Sequence, residues 1–339
     1  MGYERLNQML NQIKPSQQQE EAMLKHLLQE ERTENNMKAK HRMSKMVAAM
    51  LAAAILTTSA FAAVATGLDQ RLLQYFGAKP EQTELLSPAA VVVNKELRDQ
   101  GTTLRVEQAI ADRYSAVVLI DLTAPEGTVL DGDYYTLGER DRLRARTVDG
   151  TEMNCFGAGW TLLEDEDSAD NHISLLLTVR SINGEFNFLG SKLSMDFEGL
   201  YDSNVQKNVL VDGHWKCTIN LPQGDPGIYT VSDAPIEIGE SQVTLHSLYL
   251  SPISLTWELR GGKDNMESVA ENIHDTEDWQ NQITLTTVES ESIPVGEHNF
   301  LHTSYSGGEG RYCFRLDTIM NPAEVVSVTL FGQTFSLKG

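Results

Sequence analysis

The chain has 339 residues and a formal net charge of −21 at pH 7. This length is enough for two or three domains, and so acidic a chain is poorly suited to bind nucleic acids or other anionic polymers. In residues 1–45, 8 Lys and Arg against 6 Asp and Glu give +2, whereas 19 against 42 give −23 for the remainder. All of the excess negative charge therefore follows residue 45.

Residues 1–45 predict two short amphipathic helices separated by Pro15. Ser16 and Gln19 have capping-box spacing at the start of the second helix. This segment is too short to bury a core by itself, so we expect its apolar stripes to dock a cytoplasmic partner by helix-in-groove recognition. A marginal hairpin or a membrane-surface helix without a partner is the alternative. The predicted docking residues are Leu6, Leu10, Ile13, Met23, Leu24, Leu27 and Leu28.

Residues 46–67 carry no formal charge and predict one transmembrane helix. At about 1.5 Å per residue, a helix of this length crosses a hydrocarbon core of roughly 30 Å. The basic residues before it place the amino terminus in the cytoplasm and residues 68–339 outside the cell. Those residues are Lys38, Lys40, Arg42 and Lys45.

The same apolar stretch has two other interpretations. Ala60, Phe61 and Ala62 form a small-x-small pattern, which is typical of a signal peptide cleaved near Ala62. A buried helix of a soluble protein is the third interpretation. We favour a retained anchor because the region before the span is longer than a usual signal-peptide amino terminus.

Residues 68–90 are predicted as a linker that begins with a short helix and is broken by Gly77, Pro80 and Pro88. Beyond residue 90 the apolar residues recur every second position, as in Leu193, Met195 and Phe197, which is typical of half-buried antiparallel strands.

The fold class predicted is mostly β, with two tandem immunoglobulin-like β-sandwiches over residues 91–222 and 223–339. A helix is expected at 263–274, between strands of the second sandwich. Gly213–Cys217 faintly resembles Gly310–Cys313, a likeness too short to indicate a duplication. Turn pairs are expected to separate the strands. They are Asp149-Gly150, Asn183-Gly184, Asp212-Gly213, Gly261-Gly262 and Gly307-Gly308.

Nothing in the sequence has the spacing of a catalytic, metal or cofactor site. His298 and His302 lack a third ligand, and the acidic runs lack a calcium-loop pattern. The three cysteines, Cys155, Cys217 and Cys313, are interpreted as buried small side chains, with a Cys155–Cys217 disulfide as the alternative. We therefore expect no enzyme activity, no metal and no cofactor. Trp160 and Trp279 are the candidate exposed ligand contacts.

Three short segments resemble the Firmicute single-pass membrane proteins of the domain of unknown function 4179 family, described as anti-sigma factors. They are Leu10–Ser16, Thr103–Thr128 and His246–Leu255. The resemblance implies a membrane-anchored regulator whose cytoplasmic segment holds an extracytoplasmic-function sigma factor. It transfers no site residues, and the His-Cys-Cys zinc pattern of some anti-sigma factors is absent because no cysteine precedes Cys155.

Three functions follow as expectations. The first is a single-pass signalling regulator of a Gram-positive cell membrane, with an outer sensor and a cytoplasmic docking segment. The second is a cell-surface adhesion protein that binds glycan or another cell-wall ligand and has no cytoplasmic target. The third is a secreted protein processed near Ala62.

Overall fold

The structure, a computed structural model, describes residues 67–79, 82–138, 143–153, 156–164, 170–181, 186–202, 209–275, 282–295, 300–306, 308–316 and 318–337. All of them belong to one compact unit, Thr58–Gly339. The predicted cytoplasmic helices and all but the last residue of the predicted span lie outside the described residues. Among the described helices, none has both the length and the hydropathy needed to cross a bilayer.

The described chain is mostly β, as the two-residue period predicts. Two short helices come first, α1 (Gln70–Tyr75) and α2 (Thr83–Leu86), and a 3₁₀ turn follows at Ser87–Ala89. The strands of the first half are β1 (Ala90–Asp99), β2 (Thr102–Ala111), β3 (Ser115–Thr123), β4 (Thr136–Leu137), β5 (Arg144–Arg146), β6 (Glu152–Met153), β7 (Phe156–Leu162), β8 (His172–Ser181), β9 (Lys192–Tyr201) and β10 (Val209–Asn220).

The second half contains nine further strands, one α-helix and a 3₁₀ turn within the described ranges. These elements are β11 (Ile228–Ile238), β12 (Ser241–Leu250), β13 (Ser254–Arg260), α3 (Lys263–Asp275), β14 (Ile283–Thr287), β15 (Ser292–Pro294), β16 (Phe300–Ser306), β17 (Glu309–Arg315), the 3₁₀ turn Pro322–Glu324, β18 (Val325–Leu330) and β19 (Gln333–Ser336). The helix expected at 263–274 is confirmed as α3.

Each half forms two antiparallel sheets that face each other across an apolar core. In the first half the orders are β1-β2-β3-β8-β7 and β10-β9-β5-β6, with β4 beside β9. In the second half they are β11-β12-β13-β17-β16 and β15-β14-β18-β19. Inward side chains of both sheets make one cluster per half, centred on Trp215 in the first and Trp257 in the second. This is the architecture of two β-sandwiches.

The two sandwiches have the same topology. Three consecutive strands open the first sheet of each, and the pair β8-β7 corresponds to β17-β16. Reading the last sheet backwards, β19-β18-β14-β15 corresponds to β10-β9-β5-β6. The helix α3 of the second sandwich occupies the place in the chain order where the first has β4. The chain is therefore an internal repeat at the level of strand order.

Shared irregularities make the repeat more specific than strand order alone. The pairing of β1 with β2 shifts next to Asn94, and that of β11 with β12 shifts next to Asp233; both residues have positive φ. A second shift leaves Glu107 unopposed in β2 and His246 unopposed in β12. Bulges at matching positions of a strand are specific structural features, so the two halves repeat in detail.

The sequence similarity between Gly213–Cys217 and Gly310–Cys313 does not reflect this repeat. Gly213 lies in β10, whereas Gly310 lies in β17, which corresponds to β8. The predicted turn at Asp212-Gly213 is also wrong, because both residues lie inside β10 at a register shift. A Cβ on Gly213 would lie 2.2 Å from the Trp215 ring, so glycine is required there to make room for the indole.

Candidate functional site

The two sandwiches meet through equivalent turns. Asp112 opens the β2–β3 turn and Ser251 opens the β12–β13 turn, and each side chain accepts hydrogen bonds from the amides two and three residues later. The hydroxyls of Ser251 and Ser254 also donate to the second carboxylate oxygen of Asp112. Asp112 is fully buried and accepts from five donors, two of them in the other sandwich.

The residue at the tip of each turn packs on the outer face of the other sandwich. Tyr114 lies against Tyr249 and Cys313 of the second sandwich, with the two tyrosine rings edge to face at 5.3 Å. The corresponding Ile253 packs into an apolar cluster on the outer face of the first, which includes Ile110. Such reciprocal contact between equivalent surfaces is the pattern of a two-fold homodimer, here within one chain.

A buried ion pair lies beneath Tyr114. Glu258 on β13 and Arg311 on β17 bond to each other, Ser247 donates to the carboxylate at 2.8 Å, and the guanidinium lies 4.3 Å from the centre of the Tyr114 ring. Burial opposes ionisation of Glu258, yet Arg311 and Ser247 hold the pKa of this carboxyl below its usual range. By strand pairing, the corresponding residues in the first sandwich are Leu119 and Leu176.

A second cation links the sandwiches at the rim of the same interface. Arg113 bonds to Asp225 at 3.0 Å and stacks on the rings of Tyr229 and Tyr249. The Tyr249 hydroxyl donates to Asp225 at 2.8 Å, and burial raises the pKa of that hydroxyl. The interface thus combines a buried polar centre with stacked aromatic and cationic groups.

Residues 67–79 and 82–89, called the docked segment below, cover the outer face of the first sandwich. Leu68, Leu72, Leu73, Phe76 and Leu86 are buried in a cluster with apolar residues of β2, β3 and β8. Ile253 and Ile319 of the second sandwich complete that cluster. The stretch predicted as a linker is therefore packed against both sandwiches.

Arg71 fixes the start of the docked segment electrostatically. Its guanidinium bonds to Asp69, to Asp121 on β3 and to the Ser174 hydroxyl on β8. Gln108 accepts from the Asp69 amide at 2.8 Å and donates to the carbonyl of Gly67. Burial opposes the charge of Asp69, but Arg71 holds the pKa of this carboxyl below its usual range.

A shallow groove lies at one end of the first sandwich, between the β5–β6 hairpin and the segment 186–189. It has a volume of about 560 Å³ and mixes polar and apolar walls. At its rim Val148 is 84% exposed. The lining residues are Thr147, Val148, Asp149, Thr151, Glu152, Met153, Phe186, Asn187 and Leu189.

Of the residues predicted as site residues, the structure describes only Trp160. Trp160 is half-buried, and its ring packs edge-on against Phe197 at 5.5 Å. Trp279 and the seven predicted docking residues lie outside the described residues. Cys217 and Cys313 are free, buried thiols, which confirms the interpretation of these two as small core side chains. In the described ranges no three His, Cys, Asp or Glu residues are grouped so as to hold a metal ion.

The interface residues were missed because no chemical motif marks them. Their sequence signal is a polar residue directly after a strand with serine three positions later, Asp112 with Ser115 and Ser251 with Ser254. This is the spacing of a side-chain-capped turn. This pattern alone does not identify interface residues. They become interface residues because the two turns contact each other, and that contact exists only in the tertiary structure.

No family model matches the chain, and no curated protein matches it. A solved structure, that of the conserved domain protein from Bacillus anthracis, is similar over 70% of this chain and 75% of that one. The TM-score is 0.47 and the sequence identity 12%, a likeness too low to carry an argument.

Proposed function

We propose that this chain is a single-pass membrane signalling regulator of the anti-sigma-factor type. Residues 1–45 bind an extracytoplasmic-function sigma factor in the cytoplasm, residues 46–67 span the membrane, and two immunoglobulin-like sandwiches form the extracellular sensor. The cytoplasmic docking face is Leu6, Leu10, Ile13, Met23, Leu24, Leu27 and Leu28.

One observation carries this proposal: the described chain is fixed to the first sandwich from its first residues. Leu68 is 3% exposed, one residue after the predicted span ends. Arg71 is bonded to two strands of the first sheet. A relay across a membrane needs such continuity, because a flexible linker would absorb any movement of the sensor before it reached the span.

The rigid junction between the sandwiches supports the same proposal. Its central carboxylate is fully buried and bonded to both halves. A ligand that bound either sandwich would therefore act on one body that carries the docked segment. Release of the partner would follow from a change in the docked segment or from cleavage near the span.

The experiment is affinity purification of the full-length protein from its native membranes, followed by identification of bound proteins. We expect a sigma factor with the wild type and its loss with the double variant Leu10→Asp and Leu24→Asp. Glu21→Gln, on the polar side of the predicted helix that contains Leu24, is the control and should keep binding. Equal recovery of the sigma factor by the double variant, or none by the wild type, would contradict the proposal.

The groove beside Val148 favours a second candidate, a cell-surface module that binds a cell-wall glycan. Its walls carry carboxylate, amide and hydroxyl groups that a sugar could hydrogen-bond, beside the exposed apolar side chain of Val148. This function predicts that deleting residues 1–45 leaves the phenotype intact while Val148→Asp abolishes glycan binding. If the deletion removes the phenotype, the adhesion function is excluded.

A further inference from the structure

The turn between β12 and β13, residues 251–254, takes part in two contacts. On one side, the hydroxyls of Ser251 and Ser254 donate to Asp112 of the first sandwich. On the other side, Ile253 is 2% exposed and packs in the apolar cluster that buries the docked segment. The same short turn therefore contributes to the centre of the junction and to the binding of the docked segment.

The chain that follows β17 connects the docked segment to this turn. The Leu316 amide donates to the Ile253 carbonyl at 2.9 Å, and the Met320 amide donates to the carbonyl of the residue before Ile253 at 3.0 Å. Ile319, which lies between these two bonds in the sequence, is buried in the cluster of the docked segment. Its carbonyl accepts a hydrogen bond from the Gln82 side chain at 2.7 Å. A movement of the turn therefore displaces residues that contact the docked segment.

The two sandwiches hold opposite ends of helix α1. At its start, Arg71 bonds to Asp121 and Ser174 of the first sandwich. At its end, the Arg315 guanidinium of the second sandwich lies 4.4 Å from the centre of the Tyr75 ring. Such a contact between a cation and an aromatic ring favours the docked position. The helix can therefore keep both contacts only while the two sandwiches keep their relative position.

We propose that the β12–β13 turn couples the junction to the docked segment, so that a displacement of the second sandwich that breaks the bonds to Asp112 also releases the segment. In the docked state the turn satisfies Asp112 through its hydroxyls and fills the apolar cluster through Ile253. When the turn moves away, both contacts are lost together. The second sandwich thus controls the start of the described chain by direct contact, although that start lies on the first sandwich.

The junction is suited to a change between two states because its groups are buried. Asp112 is fully buried, so a turn that shifts only part of the way leaves a carboxylate oxygen without its donors. Packed contacts of this kind change between discrete arrangements instead of deforming gradually. The inference rests on the proposed function in one respect, namely that release of the docked segment is the event that reaches the predicted span.

The test is hydrogen exchange of the full-length protein in detergent, read by mass spectrometry of the peptide that contains residues 68–76. The wild type is compared with Ser254→Ala, which removes one bond between the turn and Asp112 and lies outside this peptide. We expect exchange in the peptide to become about fivefold faster or more, because a hydrogen bond to a buried carboxylate contributes more to such an equilibrium than a neutral one does.

Ser115→Ala is the matched control that the repeat provides. Ser115 is the equivalent of Ser254, and its hydroxyl donates to the same carboxyl group at 3.0 Å from within the first sandwich. Its loss leaves the β12–β13 turn in place, so we expect exchange in the same peptide to stay within about twofold of the wild type. Arg315→Met, which removes the contact with Tyr75, should speed exchange directly.

A reciprocal measurement decides the matter if Ser254→Ala disturbs the whole second sandwich, which faster exchange in the peptide that contains β14 would show. Coupling between two sites acts equally in both directions, so Arg71→Met should speed exchange of residues 251–254. Unchanged exchange of residues 68–76 in Ser254→Ala, or an equal increase in Ser115→Ala, overturns the inference. So does unchanged exchange of the turn in Arg71→Met. None of these measurements requires a cytoplasmic partner, so their failure is distinct from a failure to recover a sigma factor.

Discussion

Replacing Asp112 should cost more stability than replacing any of its individual partners, because one carboxylate satisfies two turns. Asp112→Ala leaves the buried amides of Tyr114 and Ser115 without their acceptor, together with the hydroxyls of Ser115, Ser251 and Ser254. Hydroxyls can rotate to other acceptors, but the amides cannot. At about 1–3 kcal/mol for each buried donor left unsatisfied, we expect a loss of about 3–5 kcal/mol.

Asp112→Asn is the variant to compare with Asp112→Ala. It keeps one oxygen for the two amides and turns an amino group toward Ser251 and Ser254, so the cost should fall to about 1–2 kcal/mol. A double-mutant cycle of Asp112→Ala with Ser254→Ala isolates the bond between the sandwiches, because each single change removes it without a replacement, and we expect a coupling of about 1 kcal/mol.

The assay is urea denaturation followed in parallel by tryptophan fluorescence and circular dichroism. Coincident curves indicate that both sandwiches unfold together, which we expect for the wild type. Asp112→Ala should separate the transition into two, because the halves then lose their shared centre. A loss below about 1 kcal/mol for Asp112→Ala, or a coupling near zero, would refute the reasoning.

Three further predictions concern the second sandwich. Arg311→Met should cost about 3–5 kcal/mol of unfolding free energy in denaturation curves, because it leaves Glu258 buried without its cation. This loss should shrink as the pH falls and Glu258 becomes protonated. Changing both residues to leucine should cost far less, because no buried charge is then left uncompensated. Gly308→Ala should cost about 2 kcal/mol or more because φ is +97° and the new Cβ would lie 2.6 Å from the Gly261 carbonyl oxygen. Gly262→Ala, with no atom within 4 Å of its Cβ, should stay within about 0.5 kcal/mol, and equal losses for the two would contradict this account. Burial raises the pKa of Cys313 to about 12. Iodoacetamide at pH 8 should therefore leave this thiol unmodified until the protein is denatured. Rapid labelling of the native protein would contradict this, because it would show that the thiol is accessible.

Apolar residues at every second position correctly predicted the buried faces of strands. Leu193, Met195 and Phe197 are buried on one face of β9, as their period of two predicts. The helix α3 was also predictable, since its residues break that period. These features depend on neighbours along the chain, so one sequence suffices to find them.

Local signals failed where a residue's role depended on its place in the folded sheet. Asp212-Gly213 has the composition of a hairpin turn, yet the glycine is there to make room for Trp215 inside a strand. The repeat itself was hidden, since Leu119 and Leu176 correspond to the ion pair Glu258 and Arg311. Equivalent positions face different neighbours, the leucines of α1 in one half and Tyr114 in the other, so their residues differ although the strand order is the same.

The sequence by itself determined that residues 91–339 are built largely of half-buried strands, because side-chain period and turn chemistry are local properties. It also determined that the acidity lies after residue 45, because charge is counted along the chain. The tertiary structure alone decided that the two sandwiches repeat one topology, that Asp112 joins them and that the stretch after the predicted span is docked. Each of these depends on which surfaces meet in space, and such contacts join residues that are far apart in the sequence, as Ser254 and Asp112 are at 142 positions.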